Sequence, residues 1–185
     1  LIQIFYFDQI LQQDIINTPN IGVINYHPAY LPECRGLFPI LFSYLYNDKK
    51  YGISAHWVEN ADIDDGPLIE QVAVNLEKVN NIDNLLATDA AVCHHFVGLY
   101  EQVQHLLANA LKQNDMNKDK DKKQQIINSL AKSKQSQGSY YSYPNRKELA
   151  LLKGLGLPLS SFFTGFKLLS LGQKKNTSDQ ENIHQ

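Results

Sequence analysis

The chain has 185 residues, of which 43% are hydrophobic and 19% are charged, and its formal net charge is -2. This length and composition allow one good hydrophobic core and are ordinary for a globular protein. The charge gives no general attraction to nucleic acid or to anionic membranes, and two cysteines do not make a disulfide framework or a zinc site. We interpret the two cysteines as reduced thiols and expect a cytoplasmic protein, and no apolar run is long enough to cross a bilayer, so we expect no membrane partner.

The first part of the chain predicts strands that alternate with helices. Residues 1–7 are rich in β-branched and aromatic side chains, which predicts a central strand followed by a short helix. Residues 21–26 predict a second strand that runs parallel to the first. A loop with two prolines then leads into a strongly apolar helix over 36–47, which has to pack on the sheet.

Two further strands and a long helix complete the predicted core. Residues 51–58 and 67–76 predict strands that form a hairpin across an acidic loop, with the second strand at an edge. Apolar residues at three- and four-residue steps over 82–112 predict one long helix. The expected fold class is α/β, a mostly parallel sheet flanked by helices. Because the chain begins at Leu1 and directly in a strand, we expect its N-terminal strands to be missing.

The composition changes after the long helix. Residues 1–112 form the predicted core, and the mixed-charge run that follows predicts a polar linker over 113–137. A tyrosine cluster and a short helix over 146–153 predict a small C-terminal segment over 138–172. Residues 173–185 are predicted to be a disordered tail.

The candidate chemistry lies at the end of the second strand. Asn25 and His27 point to the same face because side chains alternate along a strand. The carboxyl end of a strand is where α/β sheets usually bind their ligands. Taken singly, an Asn before a proline turn is usually a turn former, and a His beside a strand is usually a satisfied polar residue. The series continues downstream with Leu31, Pro32, Arg35, Gly36, His56, Asp64, Gly66 and Pro67.

In its residues and their order, this series resembles the N-formyltransferases that use 10-formyltetrahydrofolate. Their signature has an Asn-x-His pair, Leu-Pro, Arg-Gly, a strand that carries a histidine, and Asp-x-Gly-Pro, and such a combination is far more specific than one short motif. The resemblance covers about residues 1–112, with departures at Ala29, Tyr30 and Cys34. It implies a Rossmann-like formyltransferase fold and 10-formyltetrahydrofolate as the formyl donor.

The resemblance also implies a role for each matching residue. Asn25 would donate a hydrogen bond to the oxyanion of acyl transfer, and His27 would donate to the same oxygen or shuttle a proton. Asp64 would raise the pKa of His27, or take the proton of the amine directly or through water. The residues implied on the substrate side are Arg35, Gly36 and His56.

A folate site is implied by the segment after the first strand together with the acidic loop. The residues implied there are Phe7, Gln9, Ile10, Leu11, Asp62 and Ile63. A second interpretation makes the apolar side chains of this segment the inner face of the short helix: Ile10, Leu11, Ile15 and Ile16. The two interpretations are compatible, since a pocket wall is also core. No matching set of metal ligands accompanies the aspartates of the acidic loop.

Three functions stay open. The first is formyl transfer to an amine, with a small amine or amino sugar favoured over methionyl-tRNA because the tail is short, polar and not strongly basic. The second is a formyltetrahydrofolate hydrolase, since the same Asn, His and Asp can activate water. The third is an inactive truncated remnant, whose exposed sheet edge would aggregate or pair with a second copy as a homodimer.

Overall fold

A computed structural model of the chain describes residues 1–7, 9–47, 50–75, 82–113 and 122–154. The chain divides into two compact units, Leu1–Tyr143 and Pro144–Gln185. The strands are β1 (Ile2–Phe5), β2 (Val23–His27), β3 (Arg35–Gly36), β4 (Tyr51–Val58), β5 (Leu68–Val74) and β6 (Tyr140–Tyr141). The helices are α1 (Gln13–Asn17), α2 (Pro39–Tyr46), α3 (Ile82–Gln113), α4 (Lys122–Leu130) and α5 (Arg146–Gly154), of which α5 lies in the second unit.

The main sheet of the described residues has the strand order β1-β2-β4-β5. β1 and β2 are parallel, as predicted, and α1 lies between them in the chain. The pairs β2–β4 and β4–β5 are antiparallel, and the second of them is the predicted hairpin. The α/β class is therefore confirmed, and the sheet of the described residues is mixed.

The register of β2 against β4 places two predicted site residues side by side. Asn25 is the direct partner of His56, and His27 is the partner of Ser54. The register of the β4–β5 pairing shifts between Ala55 and His56. β2 itself is held by the sheet core, since Val23, Ile24 and Tyr26 are fully buried. The site thus stands on two rigid central strands.

The two longer helices of the core follow their sequence patterns. α3 ends one residue after the predicted 82–112, and its buried residues include Val92, Leu99 and Val103, which face β4 and β5. α2 begins three residues later than predicted, at Pro39, because the first turn of a helix is the favoured place for a proline. No helix among the described residues is long and apolar enough to cross a membrane.

The short helix α1 corrects the prediction of its inner face. The helix starts only at Gln13, so Ile10 and Leu11 precede it, and Ile16 is its one buried residue. Ile10 is 54% exposed and Ile15 is 44% exposed. A helix of five residues presents little more than one turn to the sheet, so it cannot bury all four apolar side chains.

The region predicted as a polar linker contains the helix α4. Ile126, Ile127 and Leu130 are buried on it, and the helix packs against α3. Averaged composition hid this short apolar stripe among lysines and glutamines. The domain boundaries at 112 and 137 stay a prediction. The predicted disordered tail, and the part of the 138–172 segment after Gly154, lie outside the described residues.

After α4 the chain returns along the sheet, and we call residues 131–143 the returning segment. Its backbone bonds to the start of β5, where Lys132 N donates to Leu68 O and Leu68 N donates to Ser133 O. Further on, β6 pairs in parallel with β3, with Arg35 opposite Tyr140. The returning segment therefore touches both the loop after β2 and the loop before β5.

Candidate active site

The carboxylate of Asp64 lies at the centre of the predicted catalytic residues. Its Oδ1 accepts a hydrogen bond from Asn25 Nδ2 at 2.8 Å, and its Oδ2 accepts one from the backbone N of Gly36 at 2.9 Å. His27 Nδ1 lies 3.4 Å from Oδ2, and His56 Nε2 lies 3.4 Å from Oδ1. The side chain of Asp64 is only 8% exposed. The structure thus brings Asn25, His27 and Asp64 together and adds His56 to them.

The backbone at Asp64 is unusual. Its φ of 52° lies in the left-handed region, which aspartate tolerates better than most residues but which costs free energy outside glycine. Two residues on, a Cβ at Gly66 would lie 1.8 Å from Trp57 O, so only glycine fits there. The loop is consequently pressed against β4, and this close approach directs Asp64 at Asn25 and His56.

Each histidine of the site donates one ring N–H to a backbone carbonyl. His27 Nε2 lies 2.9 Å from Cys34 O, and His56 Nδ1 lies 2.9 Å from Trp57 O. A carbonyl oxygen only accepts, so these two nitrogens carry the protons. The other nitrogens, His27 Nδ1 and His56 Nε2, therefore face the Asp64 carboxylate. A second contact of 3.2 Å joins His56 Nε2 to the amide of Asn25.

The pKa of Asp64 is held well below its usual range. Burial alone would raise this pKa, but the neighbouring imidazoles of His27 and His56 and the Gly36 N–H outweigh it. The donors from Asn25 and Gly36 act whatever the charge of His27. We therefore take the carboxylate to be ionised at neutral pH.

The pKa of His27 is lowered overall, although the neighbouring Asp64 carboxylate acts to raise it as expected. Burial of the imidazole is the larger effect, and it outweighs the raising effects of Asp64 and of the bond to Cys34 O. His27 is 6% exposed, so its charged form loses almost all of its hydration. The imidazole is accordingly neutral in most molecules at neutral pH, with Nδ1 unprotonated.

All six residues predicted to hold the folate line one open cavity of about 70 Å³. The cavity wall also includes Asn25, His56 and Asp64, whereas His27 lies behind Asp64. Phe7 and Ile10 expose about half of their surface beside it, 48% and 54%. Exposed apolar side chains around a few convergent polar groups are typical of ligand sites. The six lining residues are Phe7, Gln9, Ile10, Leu11, Asp62 and Ile63.

The three residues predicted on the substrate side lie next to Asp64 in different ways. His56 is 2% exposed and Gly36 acts through its backbone N–H. The guanidinium of Arg35 is directed at Asp65 Oδ1, 2.6 Å from Nη2, and at the side chain of Gln135. Arg35 thus braces the two loops in this structure, and its contact with an acceptor stays a prediction.

Gln135 is a site residue that the sequence analysis missed. Its Nε2 donates to Asp64 O at 2.9 Å and to Gly66 O at 2.8 Å. The sequence offers one signal nearby, which is the glycine at position 138. In the structure a Cβ at Gly138 would lie 2.0 Å from Pro32 O, so this glycine allows the returning segment to approach the loop after β2 closely. Low-complexity surroundings concealed that signal.

A larger cavity of about 750 Å³ lies elsewhere, between α1, α4 and the ends of β4 and β5. Its lining mixes apolar residues such as Ile16 and Ile127 with polar ones and with Lys123 and Lys134, and it includes none of the predicted site residues. The buried side chains of His56 and Asp64 line the small cavity. We therefore assign the candidate active site there.

Comparison with known families and proteins points to one group. Residues 1–94 match the family model described as "Formyl transferase". The methionyl-tRNA formyltransferase of Bacillus subtilis (strain 168) is 38% identical over 79 residues, which are 43% of this chain and 25% of that protein. The mitochondrial 10-formyltetrahydrofolate dehydrogenase of Homo sapiens is 36% identical over 77 residues, 42% of this chain and 8% of that protein. The matches thus span a quarter or less of these relatives.

Solved structures extend the similarity in fold over more of the chain. The formyltransferase PseJ from Anoxybacillus kamchatkensis, solved with UDP-4,6-dideoxy-4-formamido-L-AltNAc and tetrahydrofolate, is similar with a TM-score of 0.55 and 19% identity, over 81% of this chain and 68% of that chain. A 4-N formyltransferase from Francisella tularensis gives a TM-score of 0.54 and 25% identity, over 76% of this chain and 48% of that chain. The predicted Rossmann-like formyltransferase fold is confirmed.

Proposed function

Because this chain belongs to the formyl transferase family, we propose that it carries the site that transfers a formyl group from 10-formyltetrahydrofolate to an amine. The observation that carries the proposal is the Asp64 carboxylate, which is buried among Asn25, His27 and His56 and belongs to a residue that lines a cavity. An ionised carboxylate between an amide and two imidazoles is a proton-handling arrangement. A solvated loop would not be expected to have such a network of buried contacts.

The residues around the small cavity suit the formyl donor in their chemistry. Apolar side chains that protrude beside it, such as Phe7 and Ile10, would pack on a flat heterocycle, while Gln9 and the backbone of the 60–64 loop offer polar contacts. The donor supplies a formyl group on a nitrogen that can leave. Since Asn25, His56 and Asp64 form one wall of the same cavity, that group would meet them there.

Asn25 is the proposed oxyanion donor. Its side-chain amide has two N–H bonds, and Asp64 Oδ1 accepts one of them at 2.8 Å, which fixes the plane of the amide. The other is directed at His56 Nε2 through a longer contact of 3.2 Å on the cavity wall. That weaker bond is the one to be exchanged for the oxygen that becomes negative during transfer.

Asp64 and His27 are the proposed proton carriers. The amine has to lose a proton as it attacks, and the leaving nitrogen has to gain one. The ionised Asp64 carboxylate can accept the proton, and the unprotonated Nδ1 of His27, 3.4 Å from Oδ2, can share it. The low pKa of Asp64 makes it a weak base alone. The neutral imidazole of His27 can therefore accept the proton from the carboxylate.

We propose a small amine or amino sugar as the acceptor. The similarity to a 4-N formyltransferase at 25% identity supports this choice, and so does the net charge of -2, which gives no general attraction to tRNA. Methionyl-tRNA remains the competing acceptor, because the relative that is 38% identical over 79 residues is a methionyl-tRNA formyltransferase.

The donor site is tested first, by calorimetric binding of a stable formylfolate analogue to the whole chain. We expect micromolar binding, on the order of -8 kcal/mol. Asp64→Ala should weaken or abolish it, whereas Glu101→Gln removes an exposed carboxylate on α3 and should leave it unchanged. A folded chain that does not bind the analogue would refute the proposed donor site.

The acceptor is tested by incubating the chain with 10-formyltetrahydrofolate and, separately, nucleotide-linked amino sugars, simple amines and methionyl-tRNA. Formylation of an amino sugar or a small amine is the expected result. Formylation of tRNA alone would overturn the proposed acceptor class. Formate released at the same rate with no amine present would instead identify a hydrolase.

A further inference from the structure

Gln135 uses all of its hydrogen-bonding capacity to join the two loops of the site. Its Nε2 donates to Asp64 O and Gly66 O, at 2.9 and 2.8 Å. Its Oε1 accepts from Arg35 Nη2 at 3.0 Å and from Arg35 Nε at 3.3 Å. A carboxamide has two donor and two acceptor positions, so none is left over. Such a side chain is a clamp between loops and not a solvated surface group.

The place of Gln135 is set by its backbone neighbours and not by its own side chain. Before it, Leu68 N donates to Ser133 O at 3.0 Å, and after it, Arg35 N donates to Ser139 O at 3.0 Å. The returning segment is thus anchored on both loops by bonds that any residue at position 135 would leave intact. Changing the side chain therefore tests the clamp without undocking the segment.

The residue that the clamp holds is the one whose backbone is strained. Asp64 has a φ of 52°, and such a conformation persists only where surrounding contacts over-determine it. The bonds from Gln135 to Asp64 O and Gly66 O hold that turn through its backbone carbonyls, whereas the other contacts of Asp64 are made by its carboxylate. The turn has further anchors in the Arg35–Asp65 ion pair and in the bond from Trp57 N to Pro67 O, but only the Gln135 bonds reach the backbone carbonyl of Asp64 among the contacts described here.

We propose that Gln135 is the positioning residue of the Asp64 carboxylate: it fixes the turn from the backbone side so that the carboxylate meets Asn25 and Gly36. The importance of this role for catalysis rests on the proposed function of Asp64. The positioning itself does not, and it can be measured in the absence of any substrate.

The test follows the backbone amide of Gly36, which donates to Asp64 Oδ2 at 2.9 Å. Amide hydrogen exchange, measured by NMR on the whole chain, reports whether that acceptor is in place. Asp64→Ala provides the reference for a Gly36 amide without its acceptor. Amides of the central strand β4, such as that of Ile53, report whether the fold itself is intact.

Two substitutions separate the halves of the clamp. Gln135→Met keeps the size of the side chain and loses every hydrogen bond. Gln135→Glu keeps an acceptor for Arg35 but no longer donates to Asp64 O and Gly66 O, and its contact with Arg35 favours a folded chain. Gln137→Ala, at an exposed glutamine two residues away, is the matched control.

With Gln135→Met and Gln135→Glu we expect the Gly36 amide to exchange at least about tenfold faster, toward the rate seen in Asp64→Ala, while the Ile53 amide keeps its rate. Gln137→Ala should behave as the unsubstituted chain. An unchanged Gly36 rate in a folded Gln135→Glu chain would overturn the proposal. So would equal acceleration at Gly36 and Ile53, because that pattern is general destabilisation.

A kinetic cycle then connects the clamp to Asp64. If Gln135 acts through Asp64, Gln135→Met should lower kcat on its own, on the order of tenfold, and should change little in a chain that already carries Asp64→Asn. Equal losses in both backgrounds would contradict action through Asp64. Should the chain show no transfer at all, the exchange experiment still decides the positioning role, so the two failures are distinguishable.

Discussion

The candidate active site has two walls that are built in different ways. One wall is the pair of central strands, where Asn25 and His56 are direct partners in the β2–β4 register and lie on a buried sheet. The other is the loop that carries Asp64, whose backbone has a left-handed φ and accepts hydrogen bonds from the returning segment. The strand wall is rigid by construction, whereas the loop wall has to be held in place. The proposed reaction requires both walls, because the Asp64 carboxylate of the loop contacts Asn25 and His56 of the strands.

The largest expected effect comes from removing the carboxylate that the loop wall carries. Asp64→Ala removes the proposed proton acceptor and leaves the Asn25 amide without the bond that orients it. We expect kcat for formyl transfer to fall about 1000-fold, the upper range for loss of one key group in acyl transfer. Steady-state kinetics with Glu101→Gln as the exposed-carboxylate control checks this. Retention of a tenth of the activity would remove Asp64 from the catalytic machinery.

Next in size is a change that pushes the loop wall away from the strand wall. In Gly66→Ala the new methyl group would lie 1.8 Å from Trp57 O, so the loop has to move. We expect the free energy of unfolding to fall by about 3 kcal/mol, measured by urea denaturation. Gly98→Ala on α3 is the matched control, because nothing lies within 4 Å of that position. There the helix should gain up to about 1 kcal/mol.

A smaller effect tests the cavity between the walls. Ile10 is 54% exposed and lines the cavity, whereas Ile15 is 44% exposed and lies outside it. Ile10→Ala should raise KM for 10-formyltetrahydrofolate by about tenfold, because roughly one apolar side chain's contact with the donor is lost. Ile15→Ala removes the same atoms and should leave KM unchanged. Similar KM values for the two variants would mean that the donor does not use this cavity.

The smallest expected effect is the pH dependence of stability, to which His27 and Asp64 contribute in different pH ranges. Because burial lowers the pKa of His27, the unfolded chain binds this proton more readily, and stability falls as the pH drops below about 6.5. The pKa of Asp64 is also depressed, so its contribution is complete above about pH 4 and is lost on further acidification.

The measurement is the urea midpoint at about pH 7.5, 5.5 and 3.5. His27→Ala should abolish the loss of stability between the first two values and leave the loss at the lowest pH. His105→Ala, which removes an exposed imidazole on α3, should preserve both steps. An unaltered profile in His27→Ala would contradict the lowered pKa of His27.

Several elements were predictable because their signals are local. The strand 51–58 is observed at its predicted bounds, and α3 ends one residue late, since alternation and helical periodicity act over neighbouring residues. The α1 prediction was wrong in its buried face because periodicity cannot tell how much of a short helix the sheet will cover. α4 was missed as a packed helix, since its apolar stripe is short and flanked by a charged run.

The sequence alone determined that Asn25 and His27 share a face of β2, because alternation along a strand is a property of the backbone. It also determined the order of the family signature, and with it the candidate site. Only the tertiary structure decided that Asp64 is the centre, that burial prevails over the carboxylate in lowering the pKa of His27, and that Gln135 holds the loop from 71 residues away. Desolvation and long-range hydrogen bonds depend on which segments meet in space, and neighbouring residues in the chain carry no record of that.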